Sequence, residues 1–335
     1  MKGFAIIFIM LHNFLHINGF SKENETVFYL ERTQMFFQNV LNQPLNVIGD
    51  VLSFIGWVGV PVFVFLSGYG LERKYHKSDG INTRSYIKHS YLKLFWLLLP
   101  AASFYFAWSI LVDSNLLKAL NNFVLLTMLN NFVHNMVPFH PGVYWYFGLT
   151  FQLYLLFLLL RKLDNIRLLM WGGICIVIQM ITNPTWFEEQ VILDLLKNNF
   201  VGWLPFFVTG MIIGRKGFDL NKGLCWLLMI VSFALVVFMN VNYYLWLFIP
   251  FASILMFYCM AKIATTSESL FKKIIVWVGT NSAFIFVSHP IARTLIMQFS
   301  ISVNVAVLVL IYVVIALLLS IGYRMVNKKL LSIAN

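Results

Sequence analysis

Asn304 to Gly322 reads NVAVLVLIYVVIALLLSIG, nineteen residues without one charge. A helix rises about 1.5 Å per residue, so roughly 20 residues of helix cross a hydrocarbon layer about 30 Å thick. Leu224 to Met239 forms a second uncharged run. Stretches of this length are too long for a water-soluble core, and they predict an all-α integral membrane protein. Composition agrees: of 335 residues, 60% are hydrophobic and 11% charged, with mean hydropathy +0.80. Soluble domains carry about 25% charged residues.

Working outward, apolar runs fall near residues 3–20, 47–71, 92–112, 143–160, 168–183, 200–214, 224–239, 245–262, 276–297 and 303–322. They predict a bundle of about ten transmembrane helices, one membrane domain over 1–335, with both termini cytoplasmic. Charge supports the orientation. Lys2, the basic residues of 72–93, 161–167, 215–222 and 262–273, and Arg324, Lys328 and Lys329 then lie inside, which is 19 of the 24 basic residues. Only Lys22, Arg32, Lys118 and Lys197 remain outside, among Glu23, Glu25, Glu31, Asp50, Asp113, Glu188, Glu189 and Asp194. Retention of Lys and Arg in cytoplasmic loops accounts for the net charge of +11 without any nucleic-acid partner.

Residues 115–142 are apolar but interrupted by Asn121, Asn122, Asn130, Asn131, His134, Pro138 and Pro141. A full span here would invert every later loop, so the segment is expected outside, interfacial or re-entrant. Cys175, Cys225 and Cys259 sit in apolar stretches without metal-ligand spacing and read as buried filler. Phe4 to Leu11 follows Lys2 and has no small-residue cleavage site after it, so a retained first helix is expected.

Ionisable groups inside a membrane are costly and mark candidate sites. The first helix carries Lys2, His12, Asn13 and His16. At about 100° per residue, Asn13 lies within about 20° of the Lys2 face, His16 about 40° and His12 about 80° away. The histidines are i and i+4 neighbours, and a neutral imidazole can take a proton from a hydroxyl. Interfacial packing histidines are the alternative. HxxxH spacing also suits a metal, but this helix supplies no acid, so no metal is expected unless Glu23 or Glu25 folds back. Phe65-Leu66-Ser67-Gly68-Tyr69-Gly70 precedes Glu72-Arg73-Lys74: small residues for backbone approach and cations for phosphate, or simple helix packing followed by retained charge. Trp145, Gln152 and Tyr154 share one span, and Gln152 needs a partner there. Ser288-His289-Pro290 with Arg293 puts two ionisable groups beside a proline that leaves the Phe286 carbonyl without its helical donor.

Together these residues make the chain resemble the acyltransferase-3 family of membrane acyltransferases, which modify bacterial surface glycans. Lys2-Gly3-Phe4-Ala5-Ile6 with His12 is similar to the family's opening and first-helix histidine. Phe65 to Tyr69 is similar to its FLSGF/Y signature, Trp145 to Gln152 to Tyr154 to its W-x6-Q-x-Y spacing, and Ser288-His289-Pro290 to its late L-x-H-P element. Two departures stand out. Nine residues separate Lys2 from His12 where the family commonly has ten, so Asn13 occupies the usual place; and Thr150 and Phe151 replace acids often found before the glutamine.

The resemblance implies acyl transfer, typically of acetyl, from acyl-CoA (acetyl-CoA) to a hydroxyl of a surface or lipid-linked glycan, in the bacterial cytoplasmic (inner) membrane. It implies that Lys2, Ser67, Gly68, Tyr69, Arg73 and Lys74 hold the donor and that His12, or else His16, is the general base. Asn13, Trp145, Gln152, Tyr154, His289 and Arg293 are expected to serve the acceptor or an oxyanion. A transporter or flippase of a lipid-linked glycan, and a catalytically inactive relative, are the alternatives.

Overall fold

The computed structural model describes residues 1–76, 80–133, 142–183, 190–265, 268–299 and 304–334. Among these residues every regular element is helical and none is a strand. Two compact units form: Met1–Lys77, Leu163–Lys197 and Val201–Ser282 make the first, and Ser78–Lys162, Asn198–Phe200 and Ala283–Asn335 the second.

In the first unit the chain begins with α1 (Lys2–Leu15), α2 (Leu30–Asn42), α3 (Val47–Ile55) and α4 (Gly59–Tyr75). Then come, in the second unit, α5 (Thr83–Leu111), the short α6 (Leu116–Asn121) and α7 (Asn130–Val133), and α8 (Trp145–Leu160). The first unit continues with α9 (Asn165–Ile181), α10 (Val191–Asn198) and α11 (Phe200–Lys216), of which Asn198 and Phe200 count with the second, and then α12 (Lys222–Phe238), α13 (Tyr243–Trp246), α14 (Ile249–Ala264) and α15 (Leu270–Thr280). α16 (Ser282–Gln298) and α17 (Val305–Ala334) complete the second.

Among the described residues, six helical stretches are long and apolar enough to cross a membrane: Pro44–Tyr75, Thr83–Leu111, Gly142–Leu160, Val191–Lys216, Lys222–Val241 and Val305–Leu330. Leu270–Thr280 and Ser282–Gln298 make a seventh if counted as one broken span. Lys2–Leu15, Asn165–Ile181 and Ile249–Ala264 are shorter apolar helices at three of the expected positions. Several apolar helices in one chain make this a multi-pass membrane protein. Local chemistry sets the breaks. Pro250 takes a first-turn position, where it needs no backbone donor, so α14 starts afresh after α13. Asn82, Asp164, Asn221 and Ser269 cap their helices by accepting from Ser85, Arg167, Leu224 and Lys272 backbone N–H groups. The segment expected to be re-entrant holds only short helices as far as 133, and its remainder, 134–141, lies outside the described residues, as does 303 at the start of the last expected span.

In the first unit α1 is the central strut. Phe4, Ala5, Ile6, Ile9, Met10, Phe14 and Leu15 are buried, against α3, α4 and α15. Glycine permits the approach: a side chain at Gly56 would strike His12, and one at Gly59 the Ala5 carbonyl. α4 and α11 meet through Gly68 against the Phe207 carbonyl and Gly210 against the Phe65 carbonyl, the close backbone contact that small residues allow in membranes. Beyond that crossing, the buried Glu72 carboxylate pairs with Arg215 Nε at 2.8 Å, and Arg215 Nη1 donates to the Leu163 carbonyl at 2.7 Å.

Candidate functional site

His12 and Asn13 are buried near the far end of α1, and His16 is half-buried one turn on. His12 Nδ1 lies 2.6 Å from the Ser53 carbonyl oxygen. A carbonyl only accepts, so the ring proton sits on Nδ1 and the lone pair on Nε2. His16 Nδ1 likewise donates to the His12 carbonyl at 2.8 Å, and the two rings are 4.9 Å apart. Asn13 Nδ2 turns back to the Ile9 carbonyl at 2.9 Å.

The acid that α1 lacks comes from the loop after it. Glu23 Oε2 is 3.9 Å from His12 Nε2. Burial works to raise the Glu23 carboxyl, but the charges of His12 and His16, a backbone hydrogen bond and Arg32 outweigh it and hold it below its ordinary value. Glu25 goes the other way: burial, then repulsion from Glu23 and Asp194, raise it to about 8. Buried contacts fasten this loop. Asp50 accepts from Ser21 Oγ at 2.7 Å and Ser21 N at 3.1 Å, and Ser53 Oγ donates to the Ser21 carbonyl at 2.7 Å. Trp246 Nε1 donates to the Asn24 carbonyl at 2.6 Å, and Gln190 exchanges two hydrogen bonds with the Phe28 backbone. Ser53 therefore ties His12 to the loop that carries Glu23.

At the other end of α1, Lys2, Arg73 and Lys74 are exposed. A cavity of about 360 Å³ opens there, lined by Met1, Phe65, Leu66, Tyr69, Thr209 and Tyr258 among others. Tyr69 thus faces a space able to take a ligand. Ser67 Oγ is bonded to the Phe63 carbonyl of its own helix at 2.9 Å, and Gly68 is packed on α11. About ten residues of helix, roughly 15 Å, separate Lys2 from His12.

The remaining expected residues belong to the second unit. Gln152 finds its partner in the segment before α11: Nε2 donates to Asn199 Oδ1 at 2.6 Å and Oε1 accepts from Phe200 N at 3.0 Å. Its amide thereby satisfies a donor at the start of α11. Tyr154 offers its carbonyl to Tyr86 Oη at 3.1 Å, and Trp145 lies against Tyr146. His289 is fully buried on α16, with Nδ1 3.3 Å from the Ile285 carbonyl and its ring edge-on to Phe286. Arg293 lies one turn further along the same helix.

Glu23 does fold back onto His12, the arrangement that the sequence left open for Glu23 or Glu25. Two buried features have no counterpart in the sequence reading. Lys197 is the first, 2% exposed with its ammonium 4.5 Å from the Trp246 ring centre and 5.7 Å from that of Trp203. The environment of Asn130 is the second, buried beside Gly148 with neither amide atom hydrogen-bonded. In the sequence Lys197 was one of the few outer cations and Asn130 one of the polar breaks in 115–142, but no local pattern marks either as buried.

A family model described as an acyltransferase domain matches residues 1–325, a stretch that takes in both units. No curated protein and no solved structure matches the chain.

Proposed function

Since the chain belongs to the acyltransferase-3 family and is an acyltransferase, we propose that it transfers an acyl group, acetyl, from cytoplasmic acyl-CoA to a hydroxyl of a surface or lipid-linked glycan at the bacterial cytoplasmic membrane. The observation that carries this reading is the His12 imidazole, held by Ser53 so that its Nε2 lone pair faces Glu23.

Nε2 of His12 takes the proton of the acceptor hydroxyl while that oxygen attacks the thioester carbonyl. A C–O bond forms and the C–S bond breaks. The imidazolium, stabilised by the Glu23 charge, returns its proton to the departing CoA thiolate, leaving an ester and free thiol. His16 stands behind His12 as the second histidine of the pair. No metal takes part in this scheme.

The cavity beside Tyr69 is lined mainly by apolar side chains, with Tyr69, Thr209 and Tyr258 among them, a lining suited to the acyl-pantetheine arm. Lys2, Arg73 and Lys74 are placed to meet the donor's phosphates in water, with Ser67 and Gly68 shaping α4 behind them. Trp145, Tyr154, His289 and Arg293 are assigned to the acceptor side, with Asn13 on α1 and Gln152 as the support of Asn199. This requires ten crossings with both termini cytoplasmic: the six long stretches, the broken pair, and α1, α9 and α14. Residues 115–133 then stay outside, interfacial or re-entrant, as the distribution of Lys and Arg favours.

Transfer of radiolabelled acetyl from acetyl-CoA to envelope glycan, in membranes with and without this protein, tests the reading. Label that depends on the protein is expected. Its absence, with the protein present at normal level, would remove acetyl-CoA as donor.

A further inference from the structure

We propose that His12, His16 and Glu23 form a binding site for a divalent transition-metal cation, zinc being the best match, and that its occupation silences the base. One ligand atom from each of the three residues lies within 4.8 Å of the other two. A cation at their centre needs closure of about 1 Å to reach zinc distances of about 2.0–2.2 Å from nitrogen and oxygen. The two histidines share a face of α1 at i and i+4, and Glu23 completes the set from the following loop.

The surroundings of the rings point the same way. Metal-binding histidines generally donate their other N–H to a carbonyl or carboxylate, which fixes the ring and its tautomer. Both rings do so here, His12 to the Ser53 carbonyl at 2.6 Å and His16 to the His12 carbonyl at 2.8 Å. On each ring the proton on Nδ1 places the lone pair on Nε2. Two imidazoles and one carboxylate select zinc, cobalt, nickel or copper over magnesium and calcium, which prefer all-oxygen sites. Three protein ligands also leave a position for water. A cation bound at His12 Nε2 takes the lone pair the acceptor proton needs, so the inhibition rests on the reading of His12 as base. The binding does not.

The test uses tag-free, full-length protein in nanodiscs, stripped with EDTA. Co²⁺ serves as the spectroscopic probe, Zn²⁺ is titrated calorimetrically, and acetyl transfer is assayed in parallel. One cation per chain is expected, with Co²⁺ absorption bands of four- or five-coordinate geometry that Zn²⁺ abolishes. His16→Ala and Glu23→Gln should each weaken Zn²⁺ binding by about 100-fold, while His76→Ala, at a half-exposed histidine beside Glu72, leaves it unchanged. His16→Gln and Glu23→Ala supply the same comparison where the first variants do not fold. Stripped protein should transfer acetyl, lose that activity in micromolar Zn²⁺ and regain it with EDTA. Lack of one-to-one binding, binding indifferent to His16→Ala and Glu23→Gln, or transfer that rises with metal would overturn the proposal. Site-dependent binding by a protein that transfers no acetyl in any metal condition would uphold the cation site and defeat the base reading instead.

Discussion

Glu23 Oε2 stands 3.9 Å from Nε2 of His12, although the chain leaves α1 and turns through a loop between them. The carboxylate sits where positive charge develops when His12 accepts a proton. Two unit charges about 4 Å apart attract by up to about 4 kcal/mol at an effective dielectric near 20. Solvent and Arg32, whose Nη1 donates to the Glu23 carbonyl at 2.7 Å, reduce that share. Glu23→Gln should therefore lower kcat roughly 10- to 100-fold at unchanged protein level, with KM for the donor little altered. Steady-state kinetics on purified protein checks this; an unchanged kcat would detach Glu23 from the chemistry.

Gly68 and Ser67 separate packing from donor binding. Any side chain at Gly68 meets the Phe207 carbonyl, so Gly68→Val should destabilise the α4–α11 crossing by about 1–3 kcal/mol and lower the unfolding temperature. Ser67 Oγ is satisfied within its own helix, so Ser67→Ala should shift the unfolding temperature little. A large rise in donor KM for Ser67→Ala at normal stability would instead give that hydroxyl a direct contact.

Glu72 is 1% exposed and accepts from Arg215 Nε at 2.8 Å, with His76 Nδ1 2.9 Å away. Removing one partner of a buried pair leaves the other charge uncompensated at about 3–5 kcal/mol. Glu72→Ala should therefore unfold at markedly lower temperature. Replacing both partners, Glu72→Met with Arg215→Met, should recover much of the loss. A double variant as unstable as the sum of the single ones would rule out that coupling.

Glu25 makes stability depend on pH. Its carboxyl is raised from an ordinary value near 4.5 to about 8 by burial and by repulsion from Glu23 and Asp194. The folded state thus holds a proton that the unfolded state releases, and the stability linked to it is full below about pH 4.5 and lost as pH rises through 8. Glu25→Gln removes the charge and should raise the unfolding temperature at pH 8 while changing little at pH 4.5. Equal effects at both pH values would contradict the raised carboxyl.

The all-helical membrane fold and the family were legible because both rest on local features, apolar run length and short motifs such as Phe65 to Tyr69. Helix lengths were less so. The runs at 3–20, 168–183 and 245–262 end as α1, α9 and α14, each under eighteen residues, because His16 to Phe20 leaves the helix and Pro250 restarts it. The run at 276–297 is interrupted at Asn281, which ends α15. At the candidate site, the shared face of His12 and His16 follows from helical spacing alone. The Glu23 contact, the Ser53 carbonyl on His12 and the Asn199 partner of Gln152 depend on chain segments about 10 to 47 residues apart. No local pattern encodes them. Gly68 was legible as a small residue, but that α11 packs on it is a tertiary fact.

His12 is the proposed base. Acetyl transfer from labelled acetyl-CoA should be compared in wild type, His12→Ala and His16→Ala, each at matched membrane level and with matched thermal unfolding. Loss of the base is expected to reduce transfer about 10²- to 10⁴-fold in His12→Ala, while His16→Ala keeps most of it. Undiminished label in His12→Ala would contradict the account.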